Sequence, residues 1–227
     1  MLKKLLIFII ALALPFLLVV SSIRILANDW FIYFEYSHPN FPPDAYGFTL
    51  EQRTPLALIG LHSVLPQSEG IILLERATLP DGSRAFNQRE IKHMTDVRVL
   101  IEKVYPVQLI GLALIVVLAI LLRRSAEWRT LIPNGLRWGS ALTLTLLAVL
   151  ITYIFINFDS FFLTFHQTFF EGDSFAFLYT DTLIRLYPEQ LWSDASIIIG
   201  GMTVVMALAI LALSQIWLKR AEMNSNE

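Results

Sequence analysis

Two of the four histidines in this 227-residue chain sit where side chains could do chemistry. His93 lies in REIKHMTDVRVL, residues 89–100, with Glu90 three positions before it and Asp96 three after. On a helix, residues at that spacing share a face. A carboxylate bonded to one ring nitrogen fixes the tautomer and raises the basicity of the other nitrogen, which is how a general base is oriented. A solvated helix face with incidental charges has the same spacing, so the pattern alone leaves both readings open. His166 lies in FFLTFHQTFF, residues 161–170. Phe162, Phe169 and Phe170 fall at i−4, i+3 and i+4 and wall it with rings. An imidazole kept from water in this way is held neutral, which suits proton transfer near pH 7. A buried histidine bonded to a carbonyl is the plainer alternative. His38, before a proline, and His62 read as surface or interface polar groups.

Other chemistry is missing from the sequence. There is no cysteine, hence no disulfide, thiolate metal site or cysteine nucleophile. No GxSxG, HExxH, Walker or glycine-rich dinucleotide pattern occurs. His62, His93, Asp96 and His166 lack any tight ligand spacing, so neither metal nor cofactor is expected. A net charge of −2 gives no footprint for nucleic acid.

The elements that carry these residues are set by hydropathy. The chain is 56% hydrophobic, with a mean hydropathy of +0.61, too apolar for an ordinary soluble domain. Four apolar runs approach the ~20 residues a helical span needs. They predict membrane spans at 5–26, 104–122, 138–158 and 196–218. The first run has a basic start but is long, and SSIRILAND offers no small-x-small cleavage site, so it reads as a retained span. None of the four carries an acidic residue, which argues against an ion pump or proton-coupled transporter. Basic residues crowd the 123–137 loop and the two tails (Lys3, Lys4, Arg123, Arg124, Arg129, Arg137, Lys219, Arg220). The positive-inside rule then puts both termini and that loop in the cytoplasm, with 27–103 and 159–195 outside.

The first outer segment is large enough for a small cap but not for a large core of its own. Its start, NDWFIYFEYSHPNFPPDAYGF, is aromatic and broken by prolines, and reads as loop or extended chain near the membrane interface. Thr49 and Gln52 have capping-box spacing and predict a helix over about 50–65. A short strand or interfacial turn follows, with a turn signal at Pro80-Asp81-Gly82. Asn87 and Glu90 form a second capping box ahead of a helix over about 88–104, and Pro106 is expected to kink or interrupt the entry into the second span. The segment 159–195 holds ten aromatics in 37 residues, far too many for a solvated loop, and reads as interfacial or re-entrant. Asp159, Asp181 and Asp194 are the expected N-caps there. The fold class is therefore an all-α membrane protein, four transmembrane helices with a small, mostly helical extracytoplasmic cap.

Two stretches, FNQREIKHMTDV (86–97) and FHQTFFEGDSF…DTLIRLYPEQLW (165–192), resemble the paired signatures of the bacterial lipoprotein intramolecular transacylase family. The resemblance extends over nearly the whole chain. It implies an enzyme of the bacterial cytoplasmic membrane acting on a diacylglyceryl-modified lipoprotein in membrane lipid. That enzyme moves the sn-2 acyl chain to the amine of the N-terminal cysteine and leaves a lyso-form lipoprotein. His93 and His166 map onto the family's catalytic histidines, with His93 favoured as base because of its carboxylate neighbours. Asn87, Arg89, Glu90, Asp96 and Tyr105 are expected to orient the substrate, and Phe162, Phe165, Phe169 and Phe170 to hold lipid and exclude water. Two rival readings remain at this point: a non-enzymatic accessory or sensor protein whose cap binds a partner, and a metal-dependent membrane hydrolase.

Overall fold

Within a bilayer every backbone polar group must be satisfied inside the chain, so a run of about 20 apolar residues has to be helical. The computed structural model, which describes residues 2–122, 128–170, 172 and 174–223, shows four helices long and apolar enough to cross a membrane. They are α1 (Leu2–Leu26), α5 (Gln88–Leu122), α6 (Trp128–Ile156) and α9 (Glu189–Met223). The shorter helices are α2 (Asp29–Ser37), α3 (Leu50–Val64), α4 (Ile72–Arg76), α7 (Phe158–Phe169) and α8 (Thr182–Leu186). The protein is a nearly all-helical multi-pass membrane protein. Arg123, Arg124 and the tail beyond Met223, on which the orientation argument partly drew, lie outside the described residues.

The long helices differ from their sequence-predicted bounds at the ends. α5 runs unbroken through Pro106, because a proline in a span costs one backbone bond that such helices tolerate. Pro15 and Pro133 are likewise inside α1 and α6. α6 starts at Trp128 rather than 138. α9 starts at Glu189, directly after Pro188, so Asp194 is not its N-cap but an interior residue accepting from Gln190 Nε2 at 2.7 Å.

The chain divides into two compact units. The first comprises Met1–Ile23, Tyr105–Ile156 and Ile198–Glu227. Small residues let its helices approach: a Cβ added at Gly111, Gly135 or Gly139 would stand 2.8 Å from Leu17, Ile10 or Leu14 respectively. Ile10 packs with Leu131 and Ile132, and Leu14 with Leu18 and Ala207. Polar groups in this interior pair across helices, Ser22 with Thr203 at 2.8 Å and Gln108 Nε2 with Ser21 Oγ at 2.7 Å.

The second unit comprises Arg24–Val104 and Asn157–Ile197. The aromatic stretch expected to be loop or extended chain begins instead as the helix α2 and is loop only from 38 onward. Phe31, Ile32, Glu35 and Tyr36 are buried on one face, while Trp30, Tyr33 and Phe34 are exposed on the other; the prolines that suggested loop all follow its end. The expected capping box of α3 is present in both directions between Thr49 and Gln52. Asp29 on α2 holds His62 on α3 through Nε2 at 2.6 Å. The apolar stretch after Gly70 is the short helix α4 rather than a strand, and the Pro80-Asp81-Gly82 turn closes a single antiparallel bridge from Thr78 to Arg84. Gly82 takes φ +82° there, a backbone conformation that favours glycine. The side chain that caps α7 is Asn157, accepting from Ser160 N, and Asp159 falls inside the first turn.

Candidate active site

Both histidines belong to the second unit. His93 comes from the first turns of α5 and His166 from the last turn of α7. Their rings meet, with centroids 5.8 Å apart and planes inclined by 26°. Each residue is about nine-tenths buried, His93 at 8% exposure and His166 at 9%. Phenylalanines complete the enclosure. Phe170 (5.0 Å) and Phe177 (5.3 Å) set their rings edge-on to His93, while Phe162 (4.1 Å), Phe175 (5.2 Å) and Phe165 (5.5 Å) surround His166. Phe169 lies against Phe165 with ring centres 4.9 Å apart and planes inclined by 50°, and both are substantially exposed.

One hydrogen bond defines the state of His166. Its Nδ1 lies 2.7 Å from the carbonyl oxygen of Phe162, one turn earlier on α7. A carbonyl only accepts, so Nδ1 carries the hydrogen and, in the neutral ring, Nε2 keeps its lone pair. Burial lowers the pKa of this imidazole below its ordinary value of 6.5, the carbonyl bond opposing only in part. His166 is thus the buried histidine bonded to a carbonyl that the sequence offered as the plainer reading.

The carboxylates beside His93 are placed differently from the expectation. Glu90, 1% exposed, spends its side chain on the backbone: Oε2 accepts from Asn87 N at 2.7 Å and Oε1 from Leu183 N at 2.6 Å. Asn87 Oδ1 accepts in return from Arg89 N and Glu90 N. This is the predicted capping box, extended to α8. Asp96 accepts from Ser174 Oγ at 3.3 Å. The buried Nδ1 of His93 has no hydrogen-bond partner among the described residues. The carboxylate hydrogen bond expected to orient His93 is therefore not made among the described residues.

The start of α5 also ties down the segment that carries Phe175 and Phe177. Arg89 Nη1 donates to Ala176 O at 3.0 Å, and Asn87 Nδ2 to Asp181 Oδ1 at 3.0 Å. Asp181 Oδ2 accepts from Leu178 N at 2.9 Å, so it closes the turn before α8 rather than capping it by side chain. Thr182 Oγ1 donates to Ala85 O at 2.5 Å. Sequence reasoning missed Phe177, Ser174 and the tethering part of Asp181; the alternation in SFAFLY was the available signal. Of the expected set, Asn87, Arg89, Glu90, Asp96, Phe162, Phe165 and Phe170 surround or support the two rings. Phe169 stands one ring away, and Tyr105 belongs to the other unit.

Comparison with known proteins gives a consistent picture. The family model described as lipoprotein intramolecular transacylase Lit matches residues 8–192. A protein of Aquifex aeolicus (strain VF5), described only as uncharacterized, is 32% identical over 209 residues, 92% of this chain and 93% of its own. The in meso structure of the membrane integral lipoprotein intramolecular transacylase Lit from Bacillus cereus superposes with a TM-score of 0.81 at 21% identity, over 98% of both chains. Two variants of that Bacillus cereus protein, one histidine replaced by arginine or by alanine, superpose with a TM-score of 0.76 at 20% identity. These cover 98% of this chain and 95% and 96% of theirs.

Proposed function

Since the chain belongs to the lipoprotein intramolecular transacylase family and is thereby an acyltransferase, we propose that it converts a diacylglyceryl-modified lipoprotein to the lyso form by histidine acid–base catalysis. The α-amine of the N-terminal cysteine attacks the carbonyl carbon of the sn-2 ester. A nitrogen–carbon bond forms, the carbon–oxygen bond to the glycerol breaks, and one proton moves from nitrogen to the released oxygen.

The observation that carries this reading is the meeting of two buried imidazoles, one of them with its tautomer fixed. His166 Nε2 takes the proton from the attacking amine. His93 supports the oxyanion of the tetrahedral intermediate, and the proton reaches the sn-2 oxygen from His166 directly or through His93. The pair ends in the state in which it began. No covalent nucleophile is needed, because the substrate carries its own amine a few bonds from the ester. Effective molarity in such an arrangement contributes roughly 7–11 kcal/mol, and a positioned proton-transfer group about two to four decades. The phenylalanine wall keeps out water that would hydrolyse the ester.

The reaction places the second unit on the outer side of the bacterial cytoplasmic membrane with both termini inside, in agreement with the charge asymmetry of the sequence. Mass spectrometry of lipoprotein N-termini, in a host lacking its own N-acylation, tests the function. Expression of the chain yields lyso-form lipoprotein, and His93→Ala and His166→Ala abolish it. An unchanged diacylglyceryl form with the intact chain refutes the proposal.

A further inference from the structure

Away from the histidines, the second unit carries an open cavity of about 260 Å³ lined by Tyr36, Phe41, Asp44, Phe48, Leu50 and Arg53 among others. Arg53 is 4% exposed. Its Nη1 donates to Pro42 O and its Nη2 to Arg185 O, each at 2.8 Å, and its guanidinium stands 5.0 Å from the ring centres of both Tyr36 and Phe41. Its Nε is buried and has no hydrogen-bond partner among the described residues. The one carboxylate lining the cavity is already committed. Asp44 takes two bonds from Arg185, at 3.1 and 2.8 Å, and two more from the backbone N–H groups of Tyr46 and Phe48.

Arg185 thus balances Asp44, while the Arg53 guanidinium at the cavity meets carbonyls and ring faces among the described residues. A buried cation in that position is stabilised by an anion. A single negative charge balances the set. The apolar walls Phe41, Phe48 and Leu50 suit a ligand with an apolar continuation rather than a bare ion. α2, which supplies Tyr36, exposes Trp30, Tyr33 and Phe34 on its outer side, the residue types that settle at headgroup level in a membrane. The monoanion abundant at that level is a phospholipid's phosphodiester.

We infer that this cavity is a phospholipid headgroup site in which Arg53 binds the phosphodiester. It is separate from the catalytic histidines and independent of the acyl-transfer reading.

The full-length protein in detergent, titrated with lipid and read by native mass spectrometry, tests this. Dioleoyl phosphatidylglycerol is retained by the wild type, and dioleoylglycerol, which lacks the phosphate, is not. Arg53→Gln weakens retention about tenfold, the loss expected for one charge-assisted hydrogen bond. Because Arg53 is buried, a second pair of variants uses Leu50, which is exposed at the start of α3. Leu50→Glu weakens retention and Leu50→Lys preserves it. Equal retention by wild type, Arg53→Gln and Leu50→Glu overturns the site. Displacement of the lipid by millimolar inorganic phosphate overturns the lipid assignment in favour of a free anion, and displacement by an acetylated acidic peptide in favour of a polypeptide.

Discussion

The His93 and His166 rings lie 5.8 Å apart and nearly parallel, although 73 positions separate them in the chain. On the proposed mechanism, two rings so close, inside one wall of phenylalanines, handle a proton as a unit. Groups that act as a unit show non-additive losses. His93→Ala and His166→Ala each lower the transfer rate by about two to four decades, and the double variant is expected to be no slower than the worse of the two. Single-turnover rates on a diacylglyceryl lipopeptide measure this. Losses that multiply would mean the two rings act on separate steps.

The acid limb of the pH profile follows from the surroundings of His166. Burial lowers its pKa, and a base works only when unprotonated. Activity should therefore hold as pH falls past the ordinary 6.5 and fail only at lower pH, where the ring gains a proton. Admitting water reverses the shift. Phe175→Ser, which removes a ring 5.2 Å from His166, is expected to move the limb to higher pH, toward the ordinary value. A profile that stays in place with only its plateau lowered would show that desolvation does not set the limb.

The tethers from α5 to the 174–181 segment make a different prediction. Arg89 holds Ala176, and Asn87 holds Asp181. Both contacts hold the ring segment beside His166, so Arg89→Ala and Asp181→Ala should move the acid limb in the same direction as Phe175→Ser, and by less. They loosen Phe175 and Phe177, which costs positioning and admits water. The expected result is roughly a 10- to 100-fold slower transfer, with free fatty acid appearing as a by-product of hydrolysis. Quantifying fatty acid against lyso-form product checks it; an unchanged ratio counts against a water-excluding role.

What could be read in advance divides along the range of the forces involved. Spans were legible because a bilayer imposes length and polarity on each segment by itself. The capping boxes at Thr49/Gln52 and Asn87/Glu90 were legible because they close within one turn. α2 was hidden by Pro39, Pro42 and Pro43, which draw attention to loop although they come after the helix ends at Ser37. Asp194 looked like a cap, but Pro188 sets the start of α9 earlier, as proline at a helix start does. Glu90 shows the deeper difficulty. Its spacing from His93 was right for an orienting carboxylate, and only the position of Leu183, 93 residues away, shows that its oxygens are taken.

Glu90 supplies a test that separates these two roles. Glu90→Ala leaves the N–H groups of Asn87 and Leu183 without their acceptor in a buried place, a loss of about 2–4 kcal/mol at ~1–2 kcal/mol per group. The melting temperature should fall by several degrees, while the acid limb of the surviving activity stays where it was. A carboxylate that tuned His93 would give the opposite pattern, a shifted limb with stability kept. Thermal unfolding and a pH–rate profile on the same preparation distinguish them.

A second buried carboxyl gives stability its own pH dependence. Glu35 is 2% exposed on α2, and its pKa is raised from 4.5 to about 7, first by burial and then by the neighbouring carboxyl of Asp194. A group whose pKa rises on folding favours the fold in its protonated form. Its contribution is complete below the unfolded value of about 4.5 and is lost as pH rises through about 7. The melting temperature of the wild type should accordingly decline between about pH 5 and pH 8. Glu35→Gln keeps the shape, stays neutral and flattens that slope, so the variant is the more stable protein at alkaline pH and gains little at acid pH. Tryptophan fluorescence during heating, across a buffer series in detergent, reads the difference. Parallel curves for the two proteins would show that Glu35 does not change its charge in this range.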